Sequence, residues 1–293
     1  MEKIFITGGT GFVGSYVVKE ALKKGYEVHL VVRNPSKAQK IFSDTVKFHL
    51  LKDFSNKEEL WKTVEMVKPD YVIHLIGIIR EVKSKNITFE KVHYEYSKVL
   101  YEILREIPPK KIMHMSALGV DEKAPSKYHS TKLLAEKELL KTGISYAIFR
   151  PSFILGPQQL LFVTLNSILK KLPFIFFPEI KDYYFQPVDV RDVAECFIKA
   201  IEIKENAIFE LCGSEKVTFK DIVNDFVKYL GKRVLFLSFP ISLIKFFASE
   251  QYKMMWHDNI CERTEGVYPI QKLLERKPIL YKESIEWSAK SVL

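Results

Sequence analysis

The pair of side chains best suited to chemistry is Tyr128 with Lys132, four positions apart in "YHSTK". On an α-helix, residues i and i+4 share a face, and a neighbouring ammonium favours the ionised form of a phenol. The pair is therefore a candidate for proton transfer. The same spacing occurs twice more, at Tyr94 with Lys98 and at Tyr268 with Lys272. Since about two such matches are expected by chance, only position in the fold identifies a reactive pair.

A glycine-rich segment, "TGGTGFVG", follows the first apolar run and opens a helical pattern. The tight turn and the close approach of backbone N–H groups to a pyrophosphate both require glycine, and the helix N-terminus adds partial positive charge. The segment therefore predicts a dinucleotide-binding turn. The residues predicted to contact the dinucleotide here are Gly8, Thr10, Gly11, Phe12, Val13 and Gly14.

The end of the second apolar run carries Arg33, where NAD-binding versions of such a fold usually have an acidic residue. An arginine suits a 2′-phosphate, and Lys37 begins the next helix nearby. We therefore expect NADP(H) as the cofactor. NAD(H) is the alternative, with Arg33 a solvated side chain at a strand end. Asp53, after the third run, either accepts a hydrogen bond from the adenine amine or caps its own turn.

The elements that position these residues alternate in a regular way. Strand-like runs, each followed by a helical pattern, are "KIFIT", "EVHLVV", "VKFHLL", "YVIHLI", "KIMHMS" and "SYAIFR". This alternation predicts an α/β Rossmann-type doubly wound parallel sheet with helices on both faces. Ligands of such folds bind at the carboxyl ends of the strands, where Gly77 would allow close backbone approach.

The alternation loosens after residue 156. We predict a dinucleotide-binding Rossmann domain over 1–155 and a smaller, mainly helical substrate-side subdomain over 156–293, with 186–212 returning to the Rossmann core. Aromatic segments near 172–185 and 234–248 suggest an apolar substrate. Because Pro240 and Lys245 interrupt the second segment, it is expected to form an apolar surface or pocket wall and not a membrane span.

Composition argues against several classes of protein. The chain has 293 residues, 47% hydrophobic, which suits one compact unit. Its three cysteines are widely spaced without a C-x-x-C pair, which argues against a disulfide framework and a zinc site and fits a reducing, cytoplasmic setting. The net charge of +9 comes from lysines interleaved with glutamate, a pattern of solvated helix faces and not of nucleic-acid binding. No segment resembles a signal peptide.

Three further polar residues have structural explanations. His74 lies within an apolar run, which favours a hydrogen-bonded core histidine over a catalytic one. Asp189 and Asp192 are spaced like a helix cap and its third residue, so we do not assign them to catalysis.

Six motifs occur in an order that resembles the atypical branch of the short-chain dehydrogenase/reductase superfamily. They are "TGGTGFVG", "HLIG", "MSALG", "YHSTK", "FRPSFILGP" and "QPVDVRDVA". Within that branch the chain is most similar to the group that contains the nucleotide-binding accessory subunit of respiratory complex I and its bacterial relatives. The likeness covers most of residues 1 to 215 and rests on motif order more than on any single motif.

The resemblance implies roles for individual residues. It places the active tyrosine on the helix after the fifth strand, which selects Tyr128 among the three pairs. Tyr128 would exchange a proton with a carbonyl or alcohol oxygen, while Ser116 orients that oxygen. Lys132 would lower the pKa of the tyrosine and bind the nicotinamide ribose. Pro151 and Ser152 would lie nearest the nicotinamide.

Three functions follow as hypotheses. The first is an NADP(H)-dependent oxidoreductase acting on an apolar carbonyl or alcohol substrate. The second is a non-catalytic nucleotide-binding structural or assembly protein, peripherally associated with a membrane respiratory complex, because complex I relatives bind a nucleotide mainly for structural reasons. The third is a sugar-nucleotide epimerase or dehydratase, against which Arg33 and the apolar C-terminal part count.

Overall fold

The computed structural model describes residues 1–42, 45–124, 126–179, 183–240, 249–254, 258–262 and 265–292. The strands are β1 Lys3–Thr7, β2 Glu27–Val32, β3 Lys47–Leu50, β4 Tyr71–His74, β5 Lys111–Met115, β6 Tyr146–Pro151, β7 Ile154–Leu155, β8 Phe174–Glu179, β9 Tyr184–Phe185, β10 Val188–Asp189, β11 Ala207–Leu211, β12 Val217–Thr218, β13 Leu235–Pro240 and β14 Val267–Pro269. The α-helices are α1 Phe12–Lys23, α2 Pro35–Phe42, α3 Lys57–Val67, α4 Tyr96–Glu106, α5 Lys127–Leu140, α6 Leu160–Leu169, α7 Val190–Lys199, α8 Phe219–Tyr229, α9 Ser249–Met254, α10 Gln271–Leu274 and α11 Tyr281–Lys290. A 3-10 turn at Lys83–Lys85 and a π-helical turn at Glu90–Glu95 precede α4.

Eight strands form the central sheet in the order β3-β2-β1-β4-β5-β6-β11-β14. Every neighbouring pair is parallel. The order reverses between β1 and β4, so their carboxyl ends diverge and leave the crevice in which such sheets bind ligands. The predicted Rossmann-type doubly wound fold is confirmed.

Both faces of the sheet are buried because alternate strand residues point to opposite sides. Ile4 and Ile6 of β1 join the cluster beneath α1 and α7. Phe5, between them, joins the cluster beneath α3, α4 and α5. All three side chains have no exposed surface. This two-sided burial explains why the strands appear in the sequence as continuous apolar runs.

The chain returns to the central sheet after the sixth βα unit. Helix α7 packs against α1, and β11 pairs in parallel with β6. Strand β14 then adds an eighth strand beside β11. The sequence offered only the short stretch "VYP" as a signal for β14, which is too brief to show periodicity.

A smaller unit packs over one end of the sheet. Helices α6, α8 and α11 share a separate cluster that includes Phe162, Phe226 and Ile285. Strands β8 and β13 pair in parallel beside it. Of the apolar segment predicted near 234–248, residues 241–248 lie outside the described part. None of the helices in the described part combines the length and apolar character needed to cross a bilayer.

Two buried aspartates attach this smaller unit to α7. Asp189 caps the helix, with the Arg191 amide donating to Oδ1 at 2.8 Å, and Ser284 Oγ of α11 donates to Oδ2 at 2.6 Å. Asp192 accepts from Arg276 Nη2 at 2.8 Å and from the Ile279 amide at 2.7 Å. The capping role predicted for Asp189 is confirmed, whereas Asp192 ties the C-terminal chain to the helix.

The spacing of the cysteines argued against a disulfide framework, yet two of the three are paired in one disulfide. Cys212 and Cys261 form a disulfide across Cα atoms 6.0 Å apart, and Cys196 is buried and free. The partners are 49 residues apart in sequence, so no local motif marks them. Gln186 brings them together, because it accepts from the Cys261 amide at 3.2 Å and donates to the Gly213 carbonyl at 2.7 Å.

Candidate functional site

The glycine turn between β1 and α1 is closely packed. Gly8 has φ +75°, and a Cβ there would lie 2.9 Å from the carbonyl carbon of Leu75, just after β4. A Cβ on Gly14 would lie 2.7 Å from Gly9 Cα. Side chains at Gly8 and Gly14 are therefore excluded by the backbone, and the turn lies directly against the end of β4.

Gly11 is the N-cap of α1 and supplies no side-chain hydrogen bond to the first turn of the helix. That turn also contains no acidic residue. The partial positive charge of the helix N-terminus is therefore not neutralised locally. This is the arrangement that binds a phosphate or pyrophosphate. Phe12, which follows Gly11, packs against Gly156 of the smaller unit.

Arg33 and Asp53 lie near Tyr96, at the ends of β2 and β3. Both influence the pKa of the Tyr96 phenol, which burial raises, Asp53 raises further and Arg33 lowers. Arg33 is exposed, and Lys37 lies exposed in the first turn of α2. Asp53 Oδ1 accepts from the Ser55 amide at 3.0 Å and from Ser55 Oγ at 2.7 Å. Asp53 thus caps its own turn, and its hydrogen bond to an adenine amine stays a prediction.

Lys132 lies buried between the ends of β4 and β5, with 3% of its surface exposed. Its Nζ donates to the Met115 carbonyl at 2.9 Å and lies 3.1 Å from the position of a Cβ on Gly77. Glycine at position 77 therefore leaves the space that the ammonium occupies. Burial lowers the pKa of Lys132 to about 8, with the charge of Glu136 opposing the shift.

Tyr128 is half-buried one helical turn before Lys132 in α5. Its ring meets those of His93 and Phe89 edge to face, with centroids 5.3 Å and 5.8 Å apart. Burial raises the pKa of Tyr128 to about 12. Burial is the cause of this shift, and the Lys132 ammonium donates to the Met115 carbonyl at 2.9 Å. That Lys132 lowers the pKa of Tyr128 when a dinucleotide is bound stays a prediction.

Ser116 follows β5 and is 2% exposed. Its Oγ has no hydrogen-bond partner among the described residues. A buried hydroxyl without a partner is costly, so it marks a position where a ligand oxygen would be stabilised. Ser116 directly follows Met115, whose carbonyl accepts a hydrogen bond from Lys132 Nζ.

Pro151 and Ser152, at the end of β6, are both buried. Ser152 Oγ donates to Asn259, whose carbonyl oxygen lies 2.8 Å away and whose Oδ1 lies 2.6 Å away. The Ser152 hydroxyl therefore holds the C-terminal chain against β6. That partner is 107 residues away, and no sequence signal indicated it.

Two buried histidines, His74 and His93, support the chain around the site through hydrogen bonds. His74 is fully buried, with Nδ1 2.7 Å from Thr7 Oγ1 and Nε2 3.0 Å from Ser97 Oγ, which confirms it as a core residue. His93, which sequence reasoning missed, holds the chain after β4 through Nε2, 3.0 Å from the Ile78 carbonyl. The only sequence signal for His93 was a polar residue in an otherwise regular helical pattern.

The other two Tyr/Lys pairs lie elsewhere. Tyr94 belongs to the π-helical turn, and Tyr268 lies in the edge strand β14. Lys272 Nζ lies over the Tyr268 ring, 3.5 Å from its centroid, which is a cation–π contact at the sheet edge.

A protein-family model described as the NAD dependent epimerase/dehydratase family matches residues 4–212. The chain belongs to this family. The match spans the glycine turn, Arg33, Ser116 and α5. Members of the epimerase/dehydratase family bind nicotinamide dinucleotides, and the resemblance to atypical short-chain dehydrogenases/reductases is confirmed.

Among curated proteins, the chain is 27% identical over 247 residues to NADH dehydrogenase (ubiquinone) 1 alpha subcomplex subunit 9 of Arabidopsis thaliana mitochondria, covering 81% of this chain and 60% of that protein. It is 24% identical to Photosystem II assembly factor Ycf39 of Trieres chinensis, covering 89% and 79%. The chain thus spans about 60% of the length of the Arabidopsis relative.

Among solved structures, UDP-glucose 4-epimerase of Thermus thermophilus in complex with NAD aligns with a TM-score of 0.74 at 20% identity, covering 98% of each chain. This likeness establishes the shared fold.

The residues present fit a dinucleotide. The turn at Gly8, Gly11 and Gly14 offers backbone and a helix terminus to a pyrophosphate. Ser116, just after β5, has a buried hydroxyl that no other described residue hydrogen-bonds. A bound nicotinamide would supply hydride chemistry, whereas the protein positions the cofactor and any substrate.

Proposed function

We propose that the chain binds NADP(H) and serves as a structural or assembly component of a membrane respiratory complex. The similarity to a complex I subunit and to a photosystem assembly factor, over 81% and 89% of this chain respectively, carries this proposal. Both relatives are named for membrane-bound electron-transfer complexes. Arg33, exposed at the end of β2, is the proposed partner of the 2′-phosphate, with NAD(H) as the alternative cofactor.

The protonation of the site supports a holding role. Oxidation of an alcohol needs Tyr128 as a phenolate, yet burial raises its pKa to about 12. In the reduction of a carbonyl, Tyr128 would donate its proton, and a phenol donates its proton less readily as its pKa rises. Lys132 Nζ donates a hydrogen bond to the Met115 carbonyl at 2.9 Å.

Native mass spectrometry of the purified protein tests retention. We expect a mass increment corresponding to NADP(H), retained equally by the wild type and by Tyr128→Phe, because the phenol does not hold the nucleotide. Blue-native electrophoresis of membranes that contain the tagged full chain tests assembly, with expected co-migration with NADH dehydrogenase activity. Migration of the chain alone, or a purified protein without nucleotide, would contradict the proposal.

The second candidate is an NADP(H)-dependent oxidoreductase of an apolar carbonyl or alcohol. It is supported by the buried, unpartnered Ser116 hydroxyl, which suits a substrate oxygen. In this role Ser116 would orient the oxygen, Tyr128 would exchange the proton, and Lys132 would bind the ribose.

A panel of apolar aldehydes, ketones and alcohols distinguishes the candidates. Catalysis predicts NADPH consumption that falls to background in Tyr128→Phe and declines in Ser116→Ala, with NADPH affinity nearly unchanged in both. The structural role predicts no turnover that depends on Tyr128. Activity that Tyr128→Phe abolishes would therefore replace the first proposal with the second.

A further inference from the structure

An apolar sheet face lies on the smaller unit, away from the dinucleotide crevice. Strands β8 and β13 pair in parallel, with Phe174 opposite Leu235 and Phe176 opposite Leu237. Paired residues in a sheet lie on the same face. These four side chains therefore form one surface, which we call the outer apolar face.

The opposite side of this small sheet faces the interior. Ile175 is 5% exposed and belongs to the cluster of α6, α8 and α11, and Phe236 packs against the same cluster. The alternation is that of a half-buried sheet, except that its outer residues are also large and apolar. Phe176 and Leu235 remain 64% and 63% exposed.

Helix α6, which packs on the inner side of the small sheet, carries exposed apolar residues of its own. Its outward positions include Leu160, Val163 and Ile168, which are 55%, 47% and 37% exposed. Leu172, 44% exposed, follows one turn after Ile168 and precedes β8. Clustered exposed residues of this size mark an interaction surface, whereas single ones do not.

Basic residues stand where both strands begin. Lys170, Lys171, Lys232 and Arg233 line one cavity together with Leu172, and Lys232 Nζ donates to the Leu169 carbonyl at 2.8 Å. Lys170, Lys171 and Arg233 are exposed. Residues 159–178 and 226–249 contain no aspartate or glutamate, although the whole chain has 36 acidic residues. The one acidic residue of β8 and β13 is Glu179, which ends β8 and therefore stands at the other end of the strand from Lys170 and Lys171.

We propose that the outer apolar face, with Lys170, Lys171 and Arg233 at its rim, docks on the surface of an anionic lipid bilayer. Large apolar side chains enter the boundary between headgroups and acyl chains, and neighbouring lysines and arginines attract anionic headgroups. Charge complementarity favours this occupant over a second copy of the chain, because two such basic rims would repel each other. The inference is independent of the dinucleotide and goes beyond the function proposed above.

Vesicle sedimentation with the full chain tests the proposal. We expect binding to mixed phosphatidylcholine–phosphatidylglycerol vesicles and much weaker binding to phosphatidylcholine alone. Lys170→Glu with Lys171→Glu should lower the partition coefficient by at least roughly thirtyfold, from the loss of two headgroup attractions. Phe176→Ser with Leu235→Ser should lower it by at least roughly tenfold. Both pairs are exposed, so the fold should be retained, as circular dichroism would show.

Matched controls lie on other surfaces. Lys23→Glu with Lys24→Glu reverses two exposed charges at the end of α1, and Met66→Ser removes an apolar residue that is 66% exposed on α3. These variants should bind vesicles like the wild type. Equal loss in controls and test variants, equal binding to neutral vesicles, or no vesicle binding would overturn the proposal. A dimer in sedimentation velocity that Phe176→Ser abolishes would instead assign the face to a second copy and overturn it too.

Discussion

Lys132 Nζ donates to the carbonyl oxygen of Met115 at 2.9 Å, which connects α5 to the carboxyl end of β5. The ammonium lies at the crevice edge, 3.1 Å from the position of a Cβ on Gly77. Lys132 therefore carries a buried charge between the ends of β4 and β5. The effect of this charge on the free energy of unfolding can be measured separately from its effect on ligand binding.

Lys132→Met is expected to stabilise the nucleotide-free protein while weakening nucleotide binding. The folded-state pKa of about 8 lies below the ordinary lysine value of 10.5, so at every pH below 8 the folded state bears the full cost of burying the charge. Removing the charge should raise the free energy of unfolding at pH 7 by on the order of 1 to 3 kcal/mol. The loss of one charged hydrogen bond to the ribose should lower nucleotide affinity by roughly tenfold.

Urea unfolding and titration calorimetry measure the two effects. Lys127→Met, which removes an exposed lysine from the same helix, should change neither. A less stable Lys132→Met protein with undiminished affinity would show that Lys132 is purely structural.

Lowering the pH should destabilise the protein already above the pH range in which its carboxylates take up protons. Burial lowers the pKa of His74 to about 3 and holds those of His93 and His114 well below 6.5. Between pH 6.5 and 5 the unfolded chain therefore binds protons that the folded protein does not, and stability falls as pH falls. Each histidine contributes a slope of up to about 1.4 kcal/mol per pH unit, and the raised pKa of Asp192 opposes them only in part.

Urea unfolding at a series of pH values checks the slope. A free energy of unfolding that stays constant or increases from pH 7 to pH 5 would mean that these histidines accept protons in the folded state.

Arg33→Ala should remove most of a preference for NADPH over NADH. A bidentate contact to phosphate is worth roughly 1.5 to 3 kcal/mol, on the order of tenfold to a hundredfold in affinity. Lys19→Ala, an exposed change on α1, should preserve the preference. Titration calorimetry showing equal affinities of the wild type for both dinucleotides would refute the role of Arg33.

The Cys212–Cys261 disulfide should stabilise the junction near Ser152. Closing a 49-residue separation contributes about 2 to 4 kcal/mol by constraining the unfolded chain. Reductant should lower the melting temperature of the wild type and leave Cys261→Ser unchanged. Three reactive thiols per denatured chain in the absence of reductant would contradict the disulfide.

The sequence predicted best those features that depend on residues close together in the chain. The strand-like runs predicted the six βα units because both faces of the sheet are buried, and the spacing of Gly8, Gly11 and Gly14 predicted a turn whose packing excludes side chains. The helix predicted after the fourth strand-like run begins with a π-helical turn at Glu90–Glu95.

Contacts between distant segments were not predictable. Ser152 meets Asn259 across 107 residues, and Cys212 meets Cys261 across 49. Neither pair lies within one helix or hairpin, so no periodicity connects them. The direction of the Lys132 ammonium was missed for a related reason, because spacing indicates a shared helix face and not which neighbour accepts the hydrogen bond.

Gly11→Asp tests the central claim, that the N-terminus of α1 holds the dinucleotide. Gly11 has φ −80° and ψ 179°, which aspartate adopts readily, and its position as N-cap favours aspartate. The variant should fold with a slight shift of the turn, because a Cβ at position 11 lies 3.1 Å from the Gly8 carbonyl oxygen, while its carboxylate repels the pyrophosphate. Gly11→Asn, which adds similar volume and a similar cap without charge, separates charge from size and should bind more tightly than Gly11→Asp.

Titration calorimetry of NADPH, paired with urea unfolding, is the deciding measurement. The account predicts that Gly11→Asp is fully folded and binds NADPH at least about a hundredfold more weakly than the wild type, since an uncompensated charge pair replaces a favourable one. A folded Gly11→Asp protein with wild-type affinity would contradict the account, because the dinucleotide would then lie elsewhere.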